Sequence, residues 1–142
     1  SLGQLMLIDT SAIVAILAPE PDATLYLTAI ENASSRFVGA HVRLEGTINL
    51  ARILGLQVRD AQALYDGFLD TARIGVLPIT DAVSRMAVDA YARFGKGQGH
   101  PAQLNFADCL SYACAVSVAA PILFKGNDFL LTDLTSALDQ NS

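Results

Sequence analysis

Soft and nitrogen metal ligands are scarce in this chain, which has two cysteines and two histidines in 142 residues. Cys109 and Cys114 sit five positions apart in a stretch with helical periodicity. At ~100° per residue they point about 140° away from each other, so no bridge joins them without breaking the helix. They read as small core residues of a reducing compartment. His41 and His100 are distant in sequence and lack a paired-ligand spacing, which argues against a structural zinc site. Charge is sparse as well: 16% of residues are Asp, Glu, Lys or Arg, and nine basic residues against 14 acidic ones leave a net charge of -5. That balance excludes nucleic-acid affinity built on a basic surface alone. The longest uncharged apolar stretch, around Ala12 to Ala18, falls well short of the ~20 residues that cross a bilayer, and no basic segment precedes a cleavable apolar run. A soluble, cytoplasmic protein with no membrane partner is expected.

Linker composition is confined to FGKGQGHP at 94–101, which reads as a mobile loop within the domain. What the chain has in quantity is apolar side chain, 52% of its residues. One domain spanning 1–142 is expected, of a size that buries roughly two thirds of its unfolded surface. The chain opens on Ser1, and Met6, directly before LIDTS, is a candidate native start, with 1–5 as leader or extraneous residues. Short, partly β-branched runs at Leu5 to Ile8, Arg36 to Val38, Val76 to Ile79 and Ile122 to Phe124 predict strands. Between them, helical patterns run over 12–17, 21–33, 44–54 and 58–72, then from a cap at Thr80 or Asp81 to about Phe94, and from Asn105 to Ala119. Strands alternating with helices predict an α/β fold: a three-layer α/β/α arrangement with a central parallel sheet of four to five short strands.

In such a sheet, chemistry collects just past the carboxyl ends of the strands. Asp9 stands there, between the apolar runs of QLMLIDTSAIVAIL, and Asp128 follows the last strand in ILFKGNDF. Glu45 and Asp108 fall in the opening turns of helices that come after loops. Each has a plain structural reading. Asp9 or Ser11 caps a helix, Asp108 forms a capping box with Asn105, Glu45 favours the dipole at a helix N-terminus, and Asp128 serves a turn after Asn127. The surroundings of Asp108 favour a functional reading. LNFADCLSYACA predicts a mostly buried helix whose polar stripe runs through Asn105, Asp108 and Tyr112. Burying an unpaired carboxylate costs several kcal/mol, more than a cap of about 1 kcal/mol offsets, and a shared cation would relieve several acids together.

With those residues in view, the chain resembles the PIN-domain ribonucleases, and among them the VapC-type toxins of bacterial toxin–antitoxin pairs. The resemblance is carried by LIDTSAIVAIL, by Glu45 after the second strand, by GKGQGHPAQLNFADCLSYACA and by PILFKGNDFLLTDL, from Met6 to about Leu138. It implies a PIN-like fold and a Mg²⁺- or Mn²⁺-dependent endoribonuclease whose acids are Asp9, Glu45, Asp108 and Asp128, with Asp9 and Asp108 as direct ligands. Relatives often have two acids where this chain has Asn127 and Asp128, so either residue can hold the fourth position. It also implies an RNA substrate, a VapB-type antitoxin seated in a groove, and a homodimer; AIVAILAPE and the helix with Leu64, Tyr65, Phe68 and Leu69 fit such a groove or ordinary core.

Water activated by the metal would attack phosphorus in line, with no covalent protein nucleophile. Ser11 is placed to orient a ligand or a phosphate, and Lys96, between glycines, is the best candidate for a flanking phosphate, ahead of Arg43 and Lys125. His100 is a candidate for proton transfer or for a structural hydrogen bond. GKGQG lacks the spacing and hydroxyl of a P-loop. Two readings from other classes stand beside the nuclease: a receiver-like phosphoacceptor module, using Asp9 and Lys125, and a non-catalytic binding domain.

Overall fold

Four short apolar runs pair into one parallel sheet in a computed structural model that describes residues 4–138. They are β1 (Leu5–Ile8), β2 (Ser35–Gly39), β3 (Gly75–Leu77) and β4 (Ile122–Leu123), in the order β3-β2-β1-β4. The helices are α1 (Thr10–Leu17), α2 (Ala23–Asn32), α3 (Val42–Leu54), α4 (Val58–Thr71), α5 (Asp81–Phe94) and α6 (Phe106–Ser117). β3 stops two residues before the predicted Ile79 because Pro78 has no N–H to give to a ladder. α6 ends two residues short of Ala119, which turns into the left-handed region (φ 52°) ahead of Pro121.

The alternation of side chains along β1 divides the interior in two. Met6 and Ile8 face a core filled from α1, α2, α3 and α4, whereas Leu7 faces a second core filled from α5 and α6. This is the expected α/β/α arrangement, and its apolar layers hold it together: each fully buried Leu or Ile contributes about 1.5–3 kcal/mol. Both faces of β1 are covered, which is why LMLI reads as a continuous apolar run. Because β1, β2 and β4 are parallel, their carboxyl ends lie at one edge, where Asp9, Gly39 and Phe124 emerge.

Candidate active site

Asp9 leaves β1 with its N–H bonded to the Leu123 carbonyl at 2.9 Å, so the register of the two central strands fixes its backbone. It is the N-cap of α1, and its Oδ2 accepts from the Ser11 N–H at 3.1 Å and from Ser11 Oγ at 2.7 Å. Ser11 Oγ in turn accepts from the Lys125 N–H at 2.9 Å, tying the β4 exit loop to Asp9. Asp9 is buried, and burial raises its proton affinity; the Ser11 bonds and the Ser111 hydroxyl oppose the rise, and the charge of Asp128 adds to it.

Glu45 sits in the first turn of α3. The buried Thr10 hydroxyl, next to Asp9, donates to its Oε1. The following residue, Gly46, sets the approach of α3 to α4: a Cβ there would come within 3.1 Å of the Tyr65 ring. Burial raises the Glu45 pKa, Thr10 lowers it, and Asp9 and Asp128 raise it further.

Asp108, at the third position of α6, completes a capping box: its Oδ2 accepts from the Asn105 N–H at 3.0 Å while its own N–H donates to Asn105 Oδ1 at 2.8 Å. Capping does not account for its surroundings. Burial, then the charges of Asp128 and Asp9 and a hydrogen bond to Asp128, push its pKa up to about 7, against the Asn105 bond. Asn127 and Asp128 are both exposed, but it is Asp128 whose charge bears on Asp9, Glu45 and Asp108. Acids from four segments, 9, 45, 108 and 128, therefore repel one another at one edge of the sheet.

An all-oxygen set of repelling carboxylates suits a hard divalent cation. Asp9 and Asp108 are each anchored through Oδ2, which leaves a second oxygen for a ligand. Among the described residues, no three acidic, His or Cys side chains close into a ready-made cage. Such a set would suit an ion that retains part of its hydration shell, as Mg²⁺ does.

Two polar groups at this edge had no clear signal in the sequence. Ser111, on α6, is fully buried, and its Oγ lies 3.0 Å from His41 Nε2. His41 precedes α3, and burial drives its imidazole down to about 4, with the Ala107 backbone opposing. Ser111, and not Tyr112, thus continues the polar stripe from Asp108 toward Asp9. Tyr112 is buried and its hydroxyl donates to Asp133 at 2.5 Å, under Arg93.

The basic residues divide differently from expectation. Lys125 Nζ is held by Glu20 at 2.9 Å and Asp22 at 3.0 Å, and Arg43 by Asp66 at 3.0 Å, so neither is a free phosphate contact. The Lys125 pairing also removes the lysine that a receiver-like site would need. Lys96 is exposed, and among the described residues no ion pair involves it. Its N–H donates to the Leu104 carbonyl at 2.9 Å, which places it beside the start of α6. His100 serves the structure of its loop, since Nδ1 accepts from the Ala102 N–H at 3.0 Å and the ring packs edge-on against Phe94.

Of the two readings left open for AIVAILAPE and the helix with Tyr65 and Leu69, groove or core, the buried side chains favour core. Ala12, Ile13, Ala15, Tyr65 and Leu69 are buried, and Leu64 and Phe68 pack against them. Exposed apolar surface lies elsewhere. Phe106 (83% exposed), Val88 and Tyr91 border a groove of about 620 Å³ between α5 and α6, and Leu44 and Val58 border another of about 320 Å³ between α3 and α4. Among the described residues no helix is long and apolar enough to cross a membrane.

Comparison with known proteins agrees with this geometry. A family model described as PIN domain matches residues 6–133. Ribonuclease VapC28 of Mycobacterium tuberculosis is 47% identical over 138 residues, covering 95% of this chain and 99% of its own. Ribonuclease VapC of Mycolicibacterium smegmatis is 38% identical over 131 residues, covering 92% and 98%. Among solved structures, Mycobacterium tuberculosis VapC20, described as a Sarcin-Ricin loop cleaving toxin, superposes with a TM-score of 0.73 at 20% identity, covering 92% of this chain and 96% of its own. VapBC2 from Rickettsia felis, bound to a DNA fragment from its promoter, gives 0.70 at 14% identity, covering 94% and 97%. At those identities the two structures speak for the fold alone. The fold, the family model and the extent of the sequence match lead to one conclusion: the chain belongs to the PIN-domain family and, within it, to the VapC ribonucleases.

Proposed function

We propose that this protein is a Mg²⁺- or Mn²⁺-dependent endoribonuclease, the toxin of a toxin–antitoxin pair, and that Asp9, Glu45, Asp108 and Asp128 are its working carboxylates. One observation carries the reading: acids from separate segments share the sheet edge, where burial and then the charges of neighbouring acids raise the proton affinity of Asp9, Glu45 and Asp108, the last to about 7. A fold that only needed helix caps would not gather them. Asp9 and Asp108, anchored by Ser11 and Asn105, would hold the cation. When bound, the ion supplies Lewis acidity at the phosphoryl oxygens and a water of lowered pKa.

Glu45, kept at the site by Thr10, has its proton affinity raised by burial, which suits a base toward the attacking water. Asp128, on the exposed exit of β4, completes the anionic wall from the solvent side. Ser11 acts by fixing Asp9, and Lys96 meets a phosphate flanking the cleaved bond. A VapB-type antitoxin is the partner that membership of the VapC ribonucleases suggests here. The two exposed apolar grooves are the surfaces on which such an antitoxin and a second copy of the chain would bury area.

The test is a cleavage-site map on total RNA, with and without Mg²⁺, for the wild type and Asp9→Asn. Discrete 5′ ends that require Mg²⁺ are expected. Asp9→Asn should lower their yield by more than the roughly 10–100-fold typical of losing an outer-shell partner. Cleavage that persists in EDTA or in Asp9→Asn would refute the proposal.

A further inference from the structure

Lys125 is held at both ends. Its backbone N–H donates to Ser11 Oγ at 2.9 Å, in the first turn of α1. Its Nζ donates to Glu20 Oε1 at 2.9 Å and to Asp22 Oδ1 at 3.0 Å, in the turn that joins α1 to α2. That turn is built to present the two carboxylates. Pro19 and Pro21 flank Glu20 and fix φ on either side of it. The Glu20 N–H is bonded to the Ala15 carbonyl at 2.9 Å, and its carbonyl accepts from the Ala23 N–H at 3.0 Å. Asp22 stands at the N-cap of α2, where a carboxylate ordinarily accepts from the free N–H groups of the helix, yet it makes no such bond and turns to Lys125 instead. An isolated surface ion pair holds little, because two long side chains must be ordered to form it. Here one half-buried ammonium meets two acceptors whose backbone is already fixed.

We infer that Lys125, gripped by Glu20 and Asp22, is a positioning residue: it holds in place the backbone N–H that fixes the Ser11 hydroxyl on Asp9, and with it the orientation in which Asp9 meets the cation. The inference rests on the metal-dependent reading above. Each link is a hydrogen bond. Because Ser11 Oγ accepts from the Lys125 N–H, its own hydrogen goes to Asp9 Oδ2, 2.7 Å away. Lys125 thus acts through Ser11 and touches neither cation nor RNA. The grip is needed because the chain loosens directly after it. Gly126 takes a φ of 102°, Asn127 and Asp128 are exposed, and the segment is not buried again until Phe129, which packs edge-on against Phe124 with ring centroids 5.4 Å apart. The same grip therefore sets one end of the short segment that carries Asp128.

The test pairs hydrogen exchange of the residue-125 amide, followed by NMR without metal, with Mn²⁺ binding by calorimetry. The proteins are wild type, Lys125→Met, Lys125→Arg, the double variant Glu20→Gln/Asp22→Asn, Ser11→Ala, and Ser11→Ala combined with Lys125→Met. Lys125→Met and the double variant should each speed exchange of that amide and weaken Mn²⁺ binding about tenfold, the lower end of what losing an outer-shell partner costs. Charge alone would move them apart, since one variant removes a positive charge and the other two negative ones; positioning moves both the same way. Lys125→Arg, which can donate to both carboxylates, should keep most of the affinity. In the Ser11→Ala background Lys125→Met should add no further loss. Mn²⁺ affinity unchanged in Lys125→Met, opposite shifts in Lys125→Met and the double variant, or an additive loss on top of Ser11→Ala would each overturn the inference. A wild type that binds no Mn²⁺ would instead refute the metal-dependent reading, while amide exchange would still decide whether the grip holds the bond to Ser11.

Discussion

Asp108 shows how one residue serves both structure and chemistry. Its capping box needs only a carboxylate or amide oxygen, yet burial and two neighbouring acids lift its pKa from 3.8 to about 7. The folded state therefore holds a proton that the unfolded chain has already released, and the associated stability is lost as pH rises through 7. Asp9 and Glu45 shift in the same direction. His41 acts in a different window: its pKa falls from 6.5 to about 4, so it disfavours folding only as pH drops below 6.5. Above 6.5 the carboxylates alone remain. In EDTA the melting temperature should accordingly fall between pH 6.5 and 8, and Asp108→Asn, which keeps an acceptor for the Asn105 N–H, should flatten that fall; thermal melts monitored by circular dichroism at the two pH values check it. A wild-type melting temperature constant over this range would speak against crowded acids. At this scale the sequence disclosed the acids because each interrupts or follows an apolar run. It did not disclose Ser111 or His41, since a serine within LSYACA and a histidine before VRLEG have no pattern of their own; their meaning comes from packing α6 against the end of β2.

Among the elements, the strands were legible and their ends less so. LMLI, FVG and IL follow from apolar, β-branched composition, whereas the early stop of β3 follows from Pro78. Helix starts were legible to within a few residues because their caps are chemical: Thr80 accepts from Val83 N–H, Asp9 from Ser11 and Asn105 from Asp108. Lost in the sequence was which face of each helix would be buried. Tyr112 turned inward to Asp133, and the helix with Tyr65 and Leu69 became core and not groove. At the junction of β2 and α3 a side chain on Gly39 would meet His41 and Cys114. Gly39→Ala should overpack it against His41 and Cys114, destabilising the fold by about 1–3 kcal/mol in chemical denaturation. An alanine variant as stable as the wild type would show that this junction yields easily.

For the whole molecule, a parallel sheet and two flanking helical layers bring acids 119 positions apart in sequence, from 9 to 128, to one edge. On the proposed reading, a cation held at this edge would give an acidic chain, net -5, a means of handling polyanionic RNA that its own basic residues do not provide. The order of strands and helices, and so the fold class, could be read from the alternation of patterns; the sheet order β3-β2-β1-β4, which decides that β1 and β4 exit side by side, could not. The central claim is that this edge binds a divalent cation between carboxylates. Its most direct test is the melting temperature of wild type, Asp9→Asn and Asp108→Asn with and without saturating Mn²⁺. Mn²⁺ should stabilise the wild type, by about 2.7 kcal/mol at a hundredfold excess over its Kd, and leave both variants nearly unmoved. Equal shifts in all three proteins would contradict the account.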